Sequence, residues 1–217
     1  MNLASRIEHT NLKPEATVQD ISKLCDEAVR YHFAAVCVNS SYVSTAHVML
    51  KGSDVLISCV VGFPLGAMAS KMKAAEAAYA IEHGADEIDM VISIGKVKSA
   101  DWEAVYDDIR QVVVGAAGHP VKVILETGLL TDDEKRQACA VAVKAGAKYV
   151  KTSTGFGHGG ATVDDVRLMR EAVGAKCHIK ASGGIRDYAT ALAMVEAGAD
   201  RLGTSSGVAI VEGGNHD

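Results

Sequence analysis

Short apolar runs rich in β-branched residues alternate along this chain with longer stretches whose apolar residues recur every three or four positions. Four times a glycine closes a longer stretch and a β-prone run follows at once. His83-Gly84-Ala85-Asp86 leads into Glu87-Ile88-Asp89-Met90-Val91, and Ala145-Gly146-Ala147-Lys148 into Tyr149-Val150-Lys151-Thr152-Ser153. Val173-Gly174-Ala175-Lys176 leads into Cys177-His178-Ile179-Lys180-Ala181-Ser182, and Ala197-Gly198-Ala199-Asp200 into Arg201-Leu202-Gly203-Thr204-Ser205. A glycine at such a point takes the left-handed conformation that ends a helix. The last three of these glycines lie 28 and 24 residues apart, and 62 residues separate Gly84 from Gly146, which is two units of 31. That period is one βα unit, the building block of parallel sheets.

Helix starts fall where the scheme needs them. Thr17-Val18-Gln19-Asp20, Thr131-Asp132-Asp133-Glu134 and Thr162-Val163-Asp164-Asp165 read as capping phrases, each with an acid three residues on to meet free backbone donors. In the first helix, Val18, Ile21, Cys25, Ala28 and Val29 form the expected apolar stripe. The pattern predicts eight strands, near 6–10, 34–39, 56–61, 87–92, 122–127, 149–154, 178–182 and 201–204. Eight strands alternating with helices predict a (β/α)8 TIM barrel as one domain over 1–212, with a mobile tail at 213–217. A doubly wound sheet alternates in the same way, but with fewer strands and a glycine fingerprint near its first turn. Here that turn, Asn11-Leu12-Lys13-Pro14, has no glycine.

Composition narrows the classes. With 48% hydrophobic residues and a net charge of −5 over 217 residues, the chain can bury a core and is not disordered. Its mild acidity argues against a nucleic-acid or anionic-membrane partner. Five cysteines (Cys25, Cys37, Cys59, Cys139 and Cys177) are odd in number and lack a CxxC pair, so we expect no disulfide framework and a cytoplasmic setting. The eight histidines show no HxH or HExxH spacing, so no metal site is expected. Met1 to Lys13 has no secretory apolar region, and the apolar stretch Val55 to Ala69 is broken by Gly62, Pro64 and Gly66, so no membrane span is expected.

Chemistry in a barrel gathers at the C-terminal ends of its strands, so charges inside strand runs are the candidates. Lys151 and Lys180 occupy consecutive strands and become neighbours across the ladder unless both turn to solvent. A free lysine, with a pKa of about 10.4, is the neutral amine in only about one molecule in a thousand near neutral pH. Burial beside a second cation lowers that value and makes a nucleophile able to form a Schiff base. Asp89 is a third charge within a strand, either a proton shuttle or a mere partner for a lysine. Lys122 and Glu126, four apart in one predicted strand, would face the same way and form an ion pair supporting the site. Ser182-Gly183-Gly184-Ile185-Arg186 and Gly203-Thr204-Ser205-Ser206-Gly207, after the last two strands, resemble a phosphate cradle. Thr154-Gly155-Phe156-Gly157-His158-Gly159-Gly160 adds a flexible rim, its histidine read as a surface residue.

Together these phrases resemble the deoxyribose-phosphate aldolases, class I enzymes that use no metal. The residues carrying the likeness are Val150-Lys-Thr-Ser-Thr-Gly-Phe156, Lys180-Ala-Ser-Gly-Gly-Ile-Arg186 and Gly203-Thr-Ser-Ser-Gly207. Further matches are Glu8-His-Thr-Asn-Leu-Lys-Pro14, Gly62-Phe-Pro-Leu-Gly66, Gly84-Ala-Asp-Glu-Ile-Asp-Met90 and Lys122-Val-Ile-Leu-Glu-Thr-Gly128. The resemblance covers about residues 6 to 212. It implies that Lys151 forms the Schiff base, that Lys180 lowers its pKa, and that Asp89 relays protons with a bound water. The substrate phosphate would rest on Gly183, Gly184, Gly203, Ser205 and Ser206, near Thr154, Gly155 and Arg186. No cofactor is implied, and a homodimer or homotetramer is expected. Two departures stand out: Glu8 where the family usually has aspartate, and Phe156 where some relatives carry a phosphate-binding lysine. A barrel isomerase or decarboxylase sharing only the phosphate site, and a non-catalytic sugar-phosphate binder, are the competing readings.

Overall fold

The glycine-punctuated units become strands and helices in strict alternation. In the computed structural model, which describes residues 2–157 and 159–214, the strands are β1 (Ile7–Thr10), β2 (Ala35–Val38), β3 (Leu56–Val61), β4 (Glu87–Val91), β5 (Val121–Ile124), β6 (Tyr149–Lys151), β7 (His178–Ser182) and β8 (Arg201–Thr204). All pair in parallel and in sequence order, and Ile7 opposite Leu202 closes β8 onto β1, so the sheet is a barrel without an edge. The helices are α1 (Val18–Arg30), α2 (Val43–Met49), α3 (Ser70–Glu82), α4 (Ile94–Lys98), α5 (Trp102–Gly115), α6 (Asp132–Ala145), α7 (Val163–Val173), α8 (Tyr188–Glu196) and α9 (Gly207–Gly213).

The expected caps form. Thr17 and Thr131 each close a reciprocal capping box, with Asp20 and Glu134, and the Thr162 hydroxyl accepts from the Asp165 backbone N–H. Gly146 ends α6 at φ 97°, a conformation that L side chains resist.

Apolar burial is concentrated outside the barrel. Val36, Ile57, Ile88, Met90, Val123, Val150, Ile179 and Leu202 face helix residues such as Ile21, Ala77, Ile109, Cys139 and Met169, all buried. Alanines on these helices let them approach closely. At Gly115 an added Cβ would lie 2.6 Å from the Ala74 carbonyl oxygen. Inside the barrel the apolar share is small, a separate cluster of Leu12, Cys37 and Val60 packed by Phe63. Ala35, Val91 and Ile124 also face inward by register, and most of the remaining inward positions are polar or charged.

Three expectations need correction. The α1 stripe buries Ile21, Leu24, Cys25 and Ala28, while Val18 and Val29 at its margins are exposed. Gly213 belongs to α9 rather than to a tail, and the Glu212 carboxylate next to it accepts from the Tyr31 hydroxyl. Residues 215–217 lie outside the described residues, as does His158. Strand β5 stops at Ile124, and Glu126 beyond it takes a left-handed φ of 57°. The period-two alternation that would place Glu126 beside Lys122 therefore no longer applies.

Candidate active site

Strands β1, β3, β4, β5, β6 and β7 each send a polar side chain to one point inside the barrel. The register sets Lys151 directly opposite Lys180, and Asp89 opposite Lys122. Asp89 Oδ2 accepts from both Lys151 Nζ and Lys180 Nζ, each at 2.7 Å. Asp89 Oδ1 accepts from Lys122 Nζ at 3.0 Å and from the Ser58 hydroxyl at 2.9 Å. Lys122 Nζ lies 2.6 Å from a Glu87 carboxylate oxygen and 3.4 Å from a Glu8 oxygen, and Lys180 Nζ donates to Glu8. Three ammonium groups thus alternate with three carboxylates, and all six residues are buried. Such an arrangement is tolerable in a low-dielectric interior only when every charge has a partner.

The network fixes protonation states. Burial would raise the Asp89 carboxyl, but Lys122, Lys151 and Lys180 outweigh it and hold the group well below the usual carboxylate range. Glu8 is lowered in the same way: burial opposes, and Lys122 and Lys180 prevail. Burial would lower Lys180, yet Asp89 and Glu8 raise it above an ordinary lysine, so it stays an ammonium. A permanent cation therefore shares an acceptor oxygen with Lys151.

Lys151 opens onto a cavity of about 490 Å³ lined by Thr154, Gly155, Phe156, Gly183, Gly184, Arg186, Gly203 and Ser205, with Leu12, Lys13 and Lys23 across from them. Gly183 and Gly184, at φ 90° and 80°, bend the chain into a concave backbone surface suited to an anion. Ser206 is not among the lining residues, and its backbone N–H is occupied by the Thr204 hydroxyl at 2.9 Å. Glu126 makes no pair with Lys122. Its buried carboxylate accepts from the Thr154 hydroxyl and backbone N–H, and Thr154 Oγ1 accepts from the Phe156 N–H at 3.0 Å. Glu126 thus shapes the loop after β6. Cys37 is fully buried with its thiol raised by burial. Among the described residues, no three His, Cys, Asp or Glu side chains gather as a metal site.

Reading along the chain missed two features. Ser58 was legible as a polar residue within the apolar run Leu56-Ile-Ser-Cys-Val-Val61 but carried no motif. The fully buried Lys73–Asp108 pair, at 2.7 Å between α3 and α5, lay hidden among ordinary helix charges.

Gly203 makes room for the paired lysines. A Cβ there would sit 2.9 Å from Lys180 Cε and from Ser182 Cβ. Gly203→Ala is expected to displace the Lys180 ammonium and cut kcat/KM by about 10²-fold, the scale of a sub-ångström misplacement at a reacting centre. Steady-state kinetics alongside a melting curve check this, and a folded variant with unchanged kcat/KM would contradict it.

A buried lysine beside a second lysine, at the C-terminal mouth of a (β/α)8 barrel with a concave glycine-bent surface, is the arrangement that amine-nucleophile barrel enzymes require. Residues 4–213 match the DeoC/LacD family of aldolases, and the chain belongs to that family. It is 58% identical to the deoxyribose-phosphate aldolase of Thermococcus gammatolerans, covering 98% of this chain and 96% of that protein. It is 57% identical to the deoxyribose-phosphate aldolase of Finegoldia magna, over 98% of this chain and 100% of that protein. Among solved structures, a deoxyribose phosphate aldolase from Aeropyrum pernix, described as tetrameric, superposes with a TM-score of 0.92 at 36% identity, covering 99% of this chain and 91% of that one. Among the described residues no helix is long and apolar enough to cross a membrane.

Proposed function

We propose that this protein cleaves 2-deoxy-D-ribose 5-phosphate reversibly to D-glyceraldehyde 3-phosphate and acetaldehyde through an imine on Lys151, without a metal or other cofactor. The observation that carries the reading is the shared hydrogen bond, in which Lys151 and Lys180 both donate to Asp89 Oδ2 at the floor of the cavity. The neutral Lys151 amine attacks C1 of the open-chain sugar, and the carbinolamine loses water to give an iminium. The C3 hydroxyl surrenders its proton, the C2–C3 electron pair moves into the iminium, and glyceraldehyde 3-phosphate leaves. Protonation of the enamine at C2 and hydrolysis return acetaldehyde and free Lys151.

Asp89, ionised and bonded to Lys151, is the carboxylate within reach of these proton transfers, acting with a bound water. Lys180 holds positive charge beside the nucleophile. Lys122 and Glu8 balance the network, and Glu126 orders the loop bearing Thr154. The phosphate rests against Gly183, Gly184, Gly203 and Ser205, with Thr154 and Gly155 beside it and Arg186 supplying charge. Ser206 contributes at most from the edge, through its side chain. We also assign the working form to a homo-oligomer, as described for the Aeropyrum pernix relative.

Borohydride trapping tests the reading. Incubation with 2-deoxyribose 5-phosphate and chelator, reduction, digestion and mass spectrometry should locate a single adduct on Lys151, with turnover unaffected by the chelator. Folded protein without any adduct would overturn the aldolase reading, and an adduct on Lys180 would exchange the two lysines' roles.

A further inference from the structure

Outside the barrel, a buried ionic knot grips the chain where it leaves β3 and β4. Lys73 on α3 is fully buried, and its ammonium donates to Asp108 Oδ2 at 2.7 Å, to the Val91 carbonyl at 2.9 Å and to the Ser93 hydroxyl at 3.2 Å. All three of its protons therefore have acceptors. The Ser93 hydroxyl donates on to Asp108 Oδ2, and Ser70 donates to Asp108 Oδ1. The Lys73 stem runs beneath Gly62 so closely that an added Cβ would lie 3.0–3.2 Å from its carbons. One turn further along α3, Glu76 accepts from the Gly62 backbone N–H at 2.9 Å.

Val91 is two residues past Asp89 in the same strand. Gly62 begins the turn Gly62–Gly66 that carries Phe63. Phe63 packs on Leu12, Cys37 and Val60 inside the barrel mouth and meets Phe156 edge-on at 5.3 Å between ring centres. Leu12 and Phe156 line the same cavity as Lys151. A buried ion pair is a poor source of stability, since apolar residues of similar volume usually replace it at no loss. What this pair does supply is a fixed distance between two loops.

We infer that Lys73 is a positioning residue for the aldehyde end of the site: by tying the Gly62–Gly66 turn to the end of β4, it sets the apolar wall of Phe63 and Phe156 beside Lys151. The inference rests on the proposed aldolase reaction. The glycine-bent loops after β7 and β8, on which the phosphate is proposed to rest, make no contact with Lys73 among its hydrogen bonds.

The test is the synthetic direction, in which acetaldehyde and glyceraldehyde 3-phosphate are varied separately. The variant Lys73→Met with Asp108→Leu removes the charges together and keeps the volume. Its acetaldehyde KM should rise about tenfold, the scale of a disturbed apolar subsite, while the KM for glyceraldehyde 3-phosphate stays within about twofold. Phe63→Ala should give the same selective shift and add nothing further to the double variant, because both act through one wall. Ser93→Ala, which keeps the ion pair but removes one acceptor, should shift acetaldehyde KM in the same direction, and it carries the test should the double variant not fold. Unchanged acetaldehyde KM in folded variants, equal shifts in both KM values, or additive effects of Phe63 and Lys73 would each overturn the inference. Absence of aldol turnover in the unaltered protein would instead sink the proposed function itself.

Discussion

Replacing Lys151 with methionine should abolish turnover, by roughly 10⁶-fold, the scale seen when the nucleophile of a covalent mechanism is removed. Methionine keeps most of the side chain's length and apolar body but offers no amine. The loss should be confined to chemistry, because Asp89 keeps Lys122, Lys180 and Ser58 as partners and the proposed phosphate cradle is untouched. A coupled assay for glyceraldehyde 3-phosphate should therefore read background, while the melting temperature and the binding of inorganic phosphate remain as in the parent. A variant retaining even a hundredth of the parent's turnover would show that another group forms the imine.

Replacing Asp89 with asparagine should cost both activity and stability, for a different reason. Three buried ammonium groups share that carboxylate, and an amide leaves them facing one another in a region of low dielectric. Removing one partner from a buried ionic cluster typically costs about 3–5 kcal/mol. The pH dependence follows from the directions of the shifts. The folded carboxyls of Asp89 and Glu8 lie below their unfolded values near 4, so their contribution is present above that pH and is lost as pH falls through the folded values. Lys122 and Lys180 are raised in the folded state, so their contribution is present below an unfolded value of about 10.4 and is lost as pH rises through the folded values. The parent should thus hold this stability across the neutral range and lose it at the extremes. Urea unfolding at a series of pH values should show Asp89→Asn weakened near neutrality, with a shallower acid limb. Equal stability of the two proteins at pH 7 would mean that the cluster is not ionised as described.

The barrel was legible because its signals are local. Gly84, Gly146, Gly174 and Gly198 punctuate helix ends, threonine-acid phrases start helices, and each β-prone run became a strand, with β3, β7 and β8 matching at both ends and the other ends shifted by at most three residues. Lys151, Lys180 and Asp89 stood out as charges inside apolar strands, and parallel pairing in sequence order made them neighbours. Glu126 failed the same reasoning because a left-handed residue past Ile124 breaks the alternation that links sequence parity to side-chain direction. Val18 and Val29 failed because the stripe that α1 buries is narrower than its apolar content. Lys73 and Asp108 lie in outer helices where charges are normally solvated, and only the tertiary arrangement of α3 against α5 reveals them as buried.

The charged interior also bears on how stability varies with temperature. In the usual barrel the lumen is filled by branched apolar side chains. Hiding those from water is the main source of the heat capacity of unfolding, whereas hiding polar groups subtracts from it. Here Glu8, Ser58, Glu87, Asp89, Lys122 and Lys180 take many of those positions. Exposing them on unfolding offsets part of the heat capacity contributed by the outer apolar layer, and the penalty for keeping ions dry shrinks on warming. The lumen therefore flattens the protein's stability curve, so that warming erodes folding less steeply than an all-aliphatic lumen of the same size would allow.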